Sequence, residues 1–178
     1  MSRFPKLLVR AAVVTLAAAT LVLPTTSGVA SAAAQAQPAQ ARRSVCVNAH
    51  VQNIGWQGRR CYHNGQAAFA GTVGQSLRME SLSISTRGTG GVCAQGHVQN
   101  VGWQPVQCVG DNQTVTVGTV GQSLRLEALR LRTGTGVCAR AHVQNIGWQR
   151  WNCARNSGHI LLGTVGQSLR LEALNIRV

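Results

Sequence analysis

Negative charge is almost absent from this chain: 4 Asp and Glu stand against 17 Lys and Arg, a formal net charge of +13 over 178 residues. The acids are Glu80, Asp111, Glu127 and Glu172, and so short a supply excludes several chemistries. A two-carboxylate glycosidase needs its acids about 5 to 10 Å apart, and only the stretch holding Asp111 offers a second acid near a glutamate. A Ser-His-Asp triad is short of its third member in the same way. The expectation is a protein that is not an enzyme and needs no cofactor. Lysine is nearly missing as well, Lys6 being the sole example, and without a lysine-rich tail the positive charge argues weakly for nucleic acid. Long apolar runs are lacking too. The longest, Ala11 to Leu23, holds about 13 residues, whereas a span of the bilayer takes roughly 20.

That short run has a different use. Arg3, Lys6 and Arg10 precede it, and Ala30-Ser31-Ala32 follows at a spacing that suits signal peptidase, so residues 1–32 read as a secretion signal. No transmembrane segment is then expected in the mature chain, and the protein is expected outside the cell or at its surface. Residues 33–44 are small, polar and Pro-containing, without a periodicity that could bury a face, and read as a disordered leader. Residues 45–178 suit one compact domain. Its arginines, set against four acids, would draw it to anionic surfaces such as wall polymers or acidic glycans, a pull that fades with salt.

What this domain has in abundance is itself. AHVQNIGW at Ala49–Trp56 returns as GHVQNVGW at Gly96–Trp103 and again as AHVQNIGW at Ala141–Trp148. The copies align without internal gaps. Cys46, His50, Trp56, Cys61 and Glu80 correspond to Cys93, His97, Trp103, Cys108 and Glu127, and to Cys138, His142, Trp148, Cys153 and Glu172; a Gly-Thr-Val-Gly begins at Gly71, Gly118 and Gly163. Only the Gly/Thr-rich joints STRGTGG and RTGTG differ in length. Repeats 45–91, 92–136 and 137–178 therefore form an array of one supersecondary unit. Each unit alternates apolar and polar residues, punctuated by Asn-Ile-Gly and Gly-Thr-Val-Gly turns, and none contains a capped, helix-length apolar stripe. The fold class is all-β, with about four strands per unit. Closure into one pseudo-threefold domain, a β-prism or a β-trefoil, would remove the edges that an open array exposes.

A chain reversal at Asn145-Ile146 places Cys138 opposite Cys153, and the same spacing sets Cys46 against Cys61 and Cys93 against Cys108. In a secreted chain these read as three hairpin disulfides, each contributing about 3 kcal/mol. Zinc is a poor rival: the Cys-x3-His residues on a strand lie about 13 Å apart, too far for one tetrahedral ion. In the last strand of each unit, Arg78 and Glu80, Arg125 and Glu127, and Arg170 and Glu172 share a face at i, i+2 and are expected to form structural ion pairs. His63 and His159 occur in one repeat each and read as surface residues.

The two motifs HVQNIGWQ and GTVGQSLRLEAL, at fixed spacing and in three copies, resemble the ChW repeat, the clostridial hydrophobic repeat with a characteristic tryptophan. The resemblance covers Cys46 to Val178. It implies a secreted or cell-surface bacterial protein with a part in adhesion or in recognising extracellular polymers such as polysaccharides, and no catalytic residues. A second aromatic of the pattern is kept as Trp151, but the matching positions are Arg59 and Val106.

Two roles are open for the repeated tryptophans. An exposed indole stacks on a pyranose while neighbouring amides and imidazole bond its hydroxyls, which makes His50, Trp56, Gln57, His97, Trp103, Gln104, His142, Trp148 and Gln149 candidate ligand-binding residues. Alternatively the tryptophans plug the core and the glutamines satisfy backbone groups. The expected function is a secreted binding module for extracellular or cell-wall polysaccharide; the competing one is a disulfide-stapled protein-interaction or inhibitor domain that binds through its joints or through GRRCYHNGQ. The disulfide assignment is checked by titrating thiols in the denatured secreted protein: none should react, and 6 reactive thiols would overturn it.

Overall fold

The computed structural model describes residues 42–178; the segment read as a secretion signal and most of that read as a leader lie outside the described residues. Every regular element among them is a strand, and each repeat supplies five. The first repeat forms β1 (Ser44–Val51), β2 (Gly55–Trp56), β3 (Arg60–His63), β4 (Ala68–Gly71) and β5 (Met79–Arg87). The second forms β6 (Val92–Val98), β7 (Gly102–Trp103), β8 (Gln107–Val109), β9 (Thr114–Gly118) and β10 (Leu126–Thr133). The third forms β11 (Gly136–Val143), β12 (Gly147–Trp148), β13 (Asn152–Arg155), β14 (His159–Gly163) and β15 (Leu171–Arg177). β1 begins at Ser44, inside the segment read as leader, because Ser44 finds cross-strand partners in His63 and Arg87.

Five strands arise where four were expected because the returning arm of each hairpin is broken by a bulge. His142 faces Trp148 and Ala139 faces Asn152, so Gln149–Trp151 oppose only Arg140 and Ala141. One extra residue splits the arm into β12 and β13. The turn itself comes from Asn145, which sits at φ 63°, a conformation that asparagine adopts more readily than most residues. Beyond the bulge the expected register holds, and the disulfides Cys46–Cys61, Cys93–Cys108 and Cys138–Cys153 each close their own hairpin.

Three separate sheets result, and each borrows a strand. β2, β1, β3 and β5 of the first repeat take β9 from the second; β7, β6, β8 and β10 of the second take β14 from the third; β12, β11, β13 and β15 of the third take β4 from the first. The exchange is cyclic, so every repeat gives its fourth strand away. We call the sheets by the repeat that contributes most strands. Their inner faces share one aliphatic core in which Leu82, Leu129 and Leu174 are equivalent and fully buried, while the donated strands bring Ala68 and Ala70, Val115 and Val117, or Ile160 and Leu162.

Each donated strand ends on the first glycine of Gly-Thr-Val-Gly. Gly71, Gly118 and Gly163 have φ of 98°, 94° and 81°, and a Cβ on Gly118 would sit 2.3 Å from the Glu80 carbonyl oxygen. Only glycine tolerates both the backbone conformation and the approach. The two joints pack against one another: Thr135 N–H donates to Thr89 O at 3.0 Å, and Thr89 is completely buried.

Asp111, the acid outside the repeat pattern, is the latch of the first joint. Its carboxylate accepts backbone N–H bonds from Thr89, Gly90 and Gly91 at 3.0–3.3 Å and a hydroxyl bond from Thr89 at 3.1 Å. Burial raises its pKa, but the bonds from Gly90, Gly91 and Thr89 outweigh that and hold it below the ordinary 3.8. A carboxyl lowered by folding stabilises the fold above its ordinary pKa, and the contribution disappears as pH falls through the lowered value. Asp111→Asn should therefore cost about 1 kcal/mol at pH 7, and the difference from the parent in chemical denaturation should shrink to nothing on acidification below that value.

Candidate functional site

The residues singled out in the sequence gather at two places on each sheet. The first is the seam between repeats. Gln57 donates through Nε2 to Gly71 O at 3.1 Å and accepts from Gly71 N–H at 2.8 Å. Gln104 grips Gly118 and Gln149 grips Gly163 in the same two-bonded manner. These amides hold the ends of the donated strands, so the glutamines do the backbone work that the sequence left open as one of their two roles. The bulge next to each of them lets the side chain leave the strand pattern.

The glutamates sit at the same seams, for a reason that i, i+2 spacing alone does not contain. Val51 faces Met79 and His50 faces Ser81, so Glu80 is the extra residue of a second bulge; Glu127 and Glu172 are bulged identically. The backbone carbonyl of each reaches the neighbouring repeat, Glu80 O accepting from Thr119 N–H at 2.9 Å, Glu127 O from Thr164 at 3.0 Å and Glu172 O from Thr72 at 2.8 Å. The carboxylates stay within their own repeat. Oε1 of Glu80, Glu127 and Glu172 accepts Nε–H of Arg78, Arg125 and Arg170 at 2.9–3.1 Å, with Nη2 of the same arginine 2.8–2.9 Å away in an ion pair. The opposite oxygen faces Nδ1 of His50, His97 or His142 at 3.0–3.2 Å, a close approach without the alignment of a hydrogen bond. Each imidazole then packs T-shaped against its own tryptophan, with ring centroids 5.1–5.3 Å apart. Arg, Glu, His and Trp thus form one chain of contacts, and the histidines serve to brace the indoles.

The second place is the outer face of each sheet. The tryptophans lie outside the core and are partly exposed, Trp56 most of all at 42%. What surrounds them differs from sheet to sheet, at positions the repeat pattern leaves free. On the second sheet Gln95, Arg130 and Leu161 form a cross-strand row, and the Arg130 guanidinium covers Trp103 at 4.2 Å. On the third the row is Arg140, Asn175 and Phe69; Arg140 lies over both Trp148 and Trp151, Arg177 over Trp151, and Phe69 meets Trp148 edge-on at 6.4 Å. On the first the row is Asn48, Ser83 and Thr116. Its short side chains cover little, Ser83 and Thr116 hydroxyls bond each other at 2.7 Å, and beside them Arg59 donates to Ser85 Oγ at 2.8 Å. One indole is therefore open and two are capped. The sequence motifs do not contain this, because the capping arginines lie outside both; aligning the repeats at Asn48, Gln95 and Arg140 and at Ser83, Arg130 and Asn175 is the signal that finds it.

The sequence profile described as ChW, Clostridial hydrophobic W, matches residues 50–88, 97–133 and 142–178, more than half of the chain. No curated protein and no solved structure shows a match.

The seam carboxylates are nearly buried, with 7–8% of each side chain accessible, and their arginine partners are about one-fifth exposed. Removing the anion leaves a guanidinium half-desolvated and unpaired, which is costlier than the pair is favourable. Glu127→Ala should lower unfolding free energy by about 2–4 kcal/mol. Glu127→Gln, which retains an acceptor for Arg125, should lose clearly less. Denaturant titration with the disulfides intact reads both.

Proposed function

Because the chain belongs to the ChW family, we propose that it is a secreted, non-enzymatic binding module for extracellular or cell-wall polysaccharide. The observation that carries this reading is Trp56. A partly exposed indole, packed T-shaped against His50 and set beside the amide and hydroxyl row Asn48, Ser83 and Thr116, offers what a pyranose needs: aromatic surface for its C–H groups and donors and acceptors for its hydroxyls. Trp103 and Trp148 lack that opening because arginines lie over them. The module is thus one neutral sugar platform on a threefold scaffold, not three equal sites. Three disulfides support an extracellular setting, and no helix among the described residues is long and apolar enough to cross a membrane. Three distinct sheets with cyclic strand exchange favour a prism-type body over a trefoil.

A protein-interaction role through the joints has less to support it, since both joints spend their backbone groups on each other and on Asp111. Retention on insoluble polysaccharide or peptidoglycan at moderate salt, combined with a glycan array, tests the proposal. Trp56→Ala should weaken binding to neutral glycan about tenfold or more, Trp56→Phe should keep part of it, and Trp103→Ala should leave it nearly unchanged. Equal losses from Trp56→Ala and Trp103→Ala, or no neutral glycan bound at all, would overturn the assignment of the site.

A further inference from the structure

The capped indole of the second repeat points to a different ligand chemistry. Arg130 and Arg132 alternate on the outer face of β10, and His159 of the donated strand stands opposite Arg132 in register. All three side chains belong to exposed residues. Both guanidinium groups are held in place, Arg130 by the Trp103 ring at 4.2 Å and by Gln95 Oε1 at 3.3 Å, Arg132 by the disulfide sulfurs of Cys93 and Cys108 at 3.2 and 4.0 Å. Neither meets a carboxylate. Among the described residues the side-chain acids are Glu80, Asp111, Glu127 and Glu172, and each is engaged at a seam or at the first joint.

These cations line a groove of about 240 Å³ whose other wall includes Val106 and the backbone beside Cys93. The groove exists because of one residue. The position of Val106 is that of Trp151 in the third repeat, where the indole lies between Arg140 and Arg177. In the first repeat the same position is Arg59, which bonds Ser85 across a smaller groove of about 190 Å³. Val106 is 59% exposed, and Leu161 beside Arg130 is 44% exposed. The second sheet therefore combines fixed, uncompensated positive charge with an apolar lining, at positions where the other two repeats carry Ser83 and Ser85, or Asn175 and the stacked Arg177.

We infer that this groove is a second subsite, specific for acidic sugars, and that it reads a carboxylate on a polysaccharide whose neutral units lie on Trp56 or on separate chains. The inference rests on the polysaccharide-binding reading and names the class of polymer, an acidic glycan. A fixed guanidinium pair matches a carboxylate by charge and by fork geometry, while the exposed Val106 surface accepts the C–H face of the same sugar. Positive charge elsewhere on the surface attracts any anion, whereas this groove gives one both a fixed pair of donors and an apolar contact.

The test uses the full secreted chain and two probes: oligogalacturonate, and the same oligomer with its carboxyls methyl-esterified, each titrated at about 0.15 M salt, where long-range attraction is screened beyond about 8 Å. Arg130→Gln with Arg132→Gln is compared with Arg60→Gln plus Arg87→Gln, which removes the same charge from exposed positions on β3 and β5. The acid form should bind the parent at least tenfold more tightly than the ester. The groove pair should abolish that preference while binding of the ester is unchanged, and the control pair should alter it less than twofold. Equal losses from the two pairs, or equal binding of acid and ester by the parent, would overturn the subsite. If the ester fails to bind while acid binding survives and depends on Arg130 and Arg132, the Trp56 platform falls and the acidic subsite stands. If neither probe binds, both readings fall.

Discussion

A buried carboxylate at a bulge holds this protein together. Glu80, Glu127 and Glu172 each use the backbone carbonyl to catch a neighbouring repeat and the side chain to fix an arginine and a histidine of their own repeat. The carbonyl is free to do so because the bulge takes it out of the regular ladder. The close approach of the partner glycine follows from that carbonyl, and the two-bonded glutamine follows from the glycine, whose N–H and C=O would otherwise need other partners at the seam. Once the glutamate is placed, the histidine and the tryptophan beside it are placed as well. Arginine, glutamate, histidine, tryptophan, glutamine and glycine recur in every copy because they are parts of one joint.

That division leaves the outer faces free to diverge. Seam residues cannot change singly without stranding a partner, whereas Ser83, Arg130 and Asn175 point outward from equivalent strand positions and impose nothing on the core. Likewise Arg59, Val106 and Trp151 stand at one repeat position and give a bonded, an open and a filled groove. A pseudo-threefold scaffold of this kind supports three unlike surfaces: a polar platform beside a bare indole, a cationic groove, and a compact stack of arginines and aromatic rings. Departures from the repeat carry the chemistry that can be specific.

Much of the framework was legible beforehand. Gapless spacing gave the repeat, alternation gave strands, and the hairpin centre at Asn145 gave all three disulfides, because antiparallel pairing converts position into partnership by arithmetic. Arg78 and Glu80 met, though not by strand alternation, since Arg78 precedes β5 and Glu80 is its bulged residue. The bulges were not legible, since a single extra residue breaks alternation no more visibly than an ordinary polar substitution, and with them went the fifth strand and the role of the glutamate carbonyl. Strand exchange was equally hidden: nothing in Ala68–Gly71 says that its partner lies in Leu171–Arg177, more than a hundred residues away. For the same reason the tryptophan environment escaped notice, as the arginine over Trp103 comes from a strand far along the chain.

The cyclic exchange of fourth strands also sets an order of events. Each disulfide closes a loop of local sequence and can form as soon as its own hairpin has. By contrast, the sheet that receives β4 contains the last strand of the domain. Until β15 arrives, β4 has no home, and the first repeat waits with an unpaired strand and half a core. Covalent bonds secure the pieces early, but they leave closure of the ring to the slowest kind of contact, one between distant parts of the chain. A folding chain of this protein is therefore locked in its parts well before it is a whole, and the exposed edge of β4 is what anything that guards it in the meantime would have to cover.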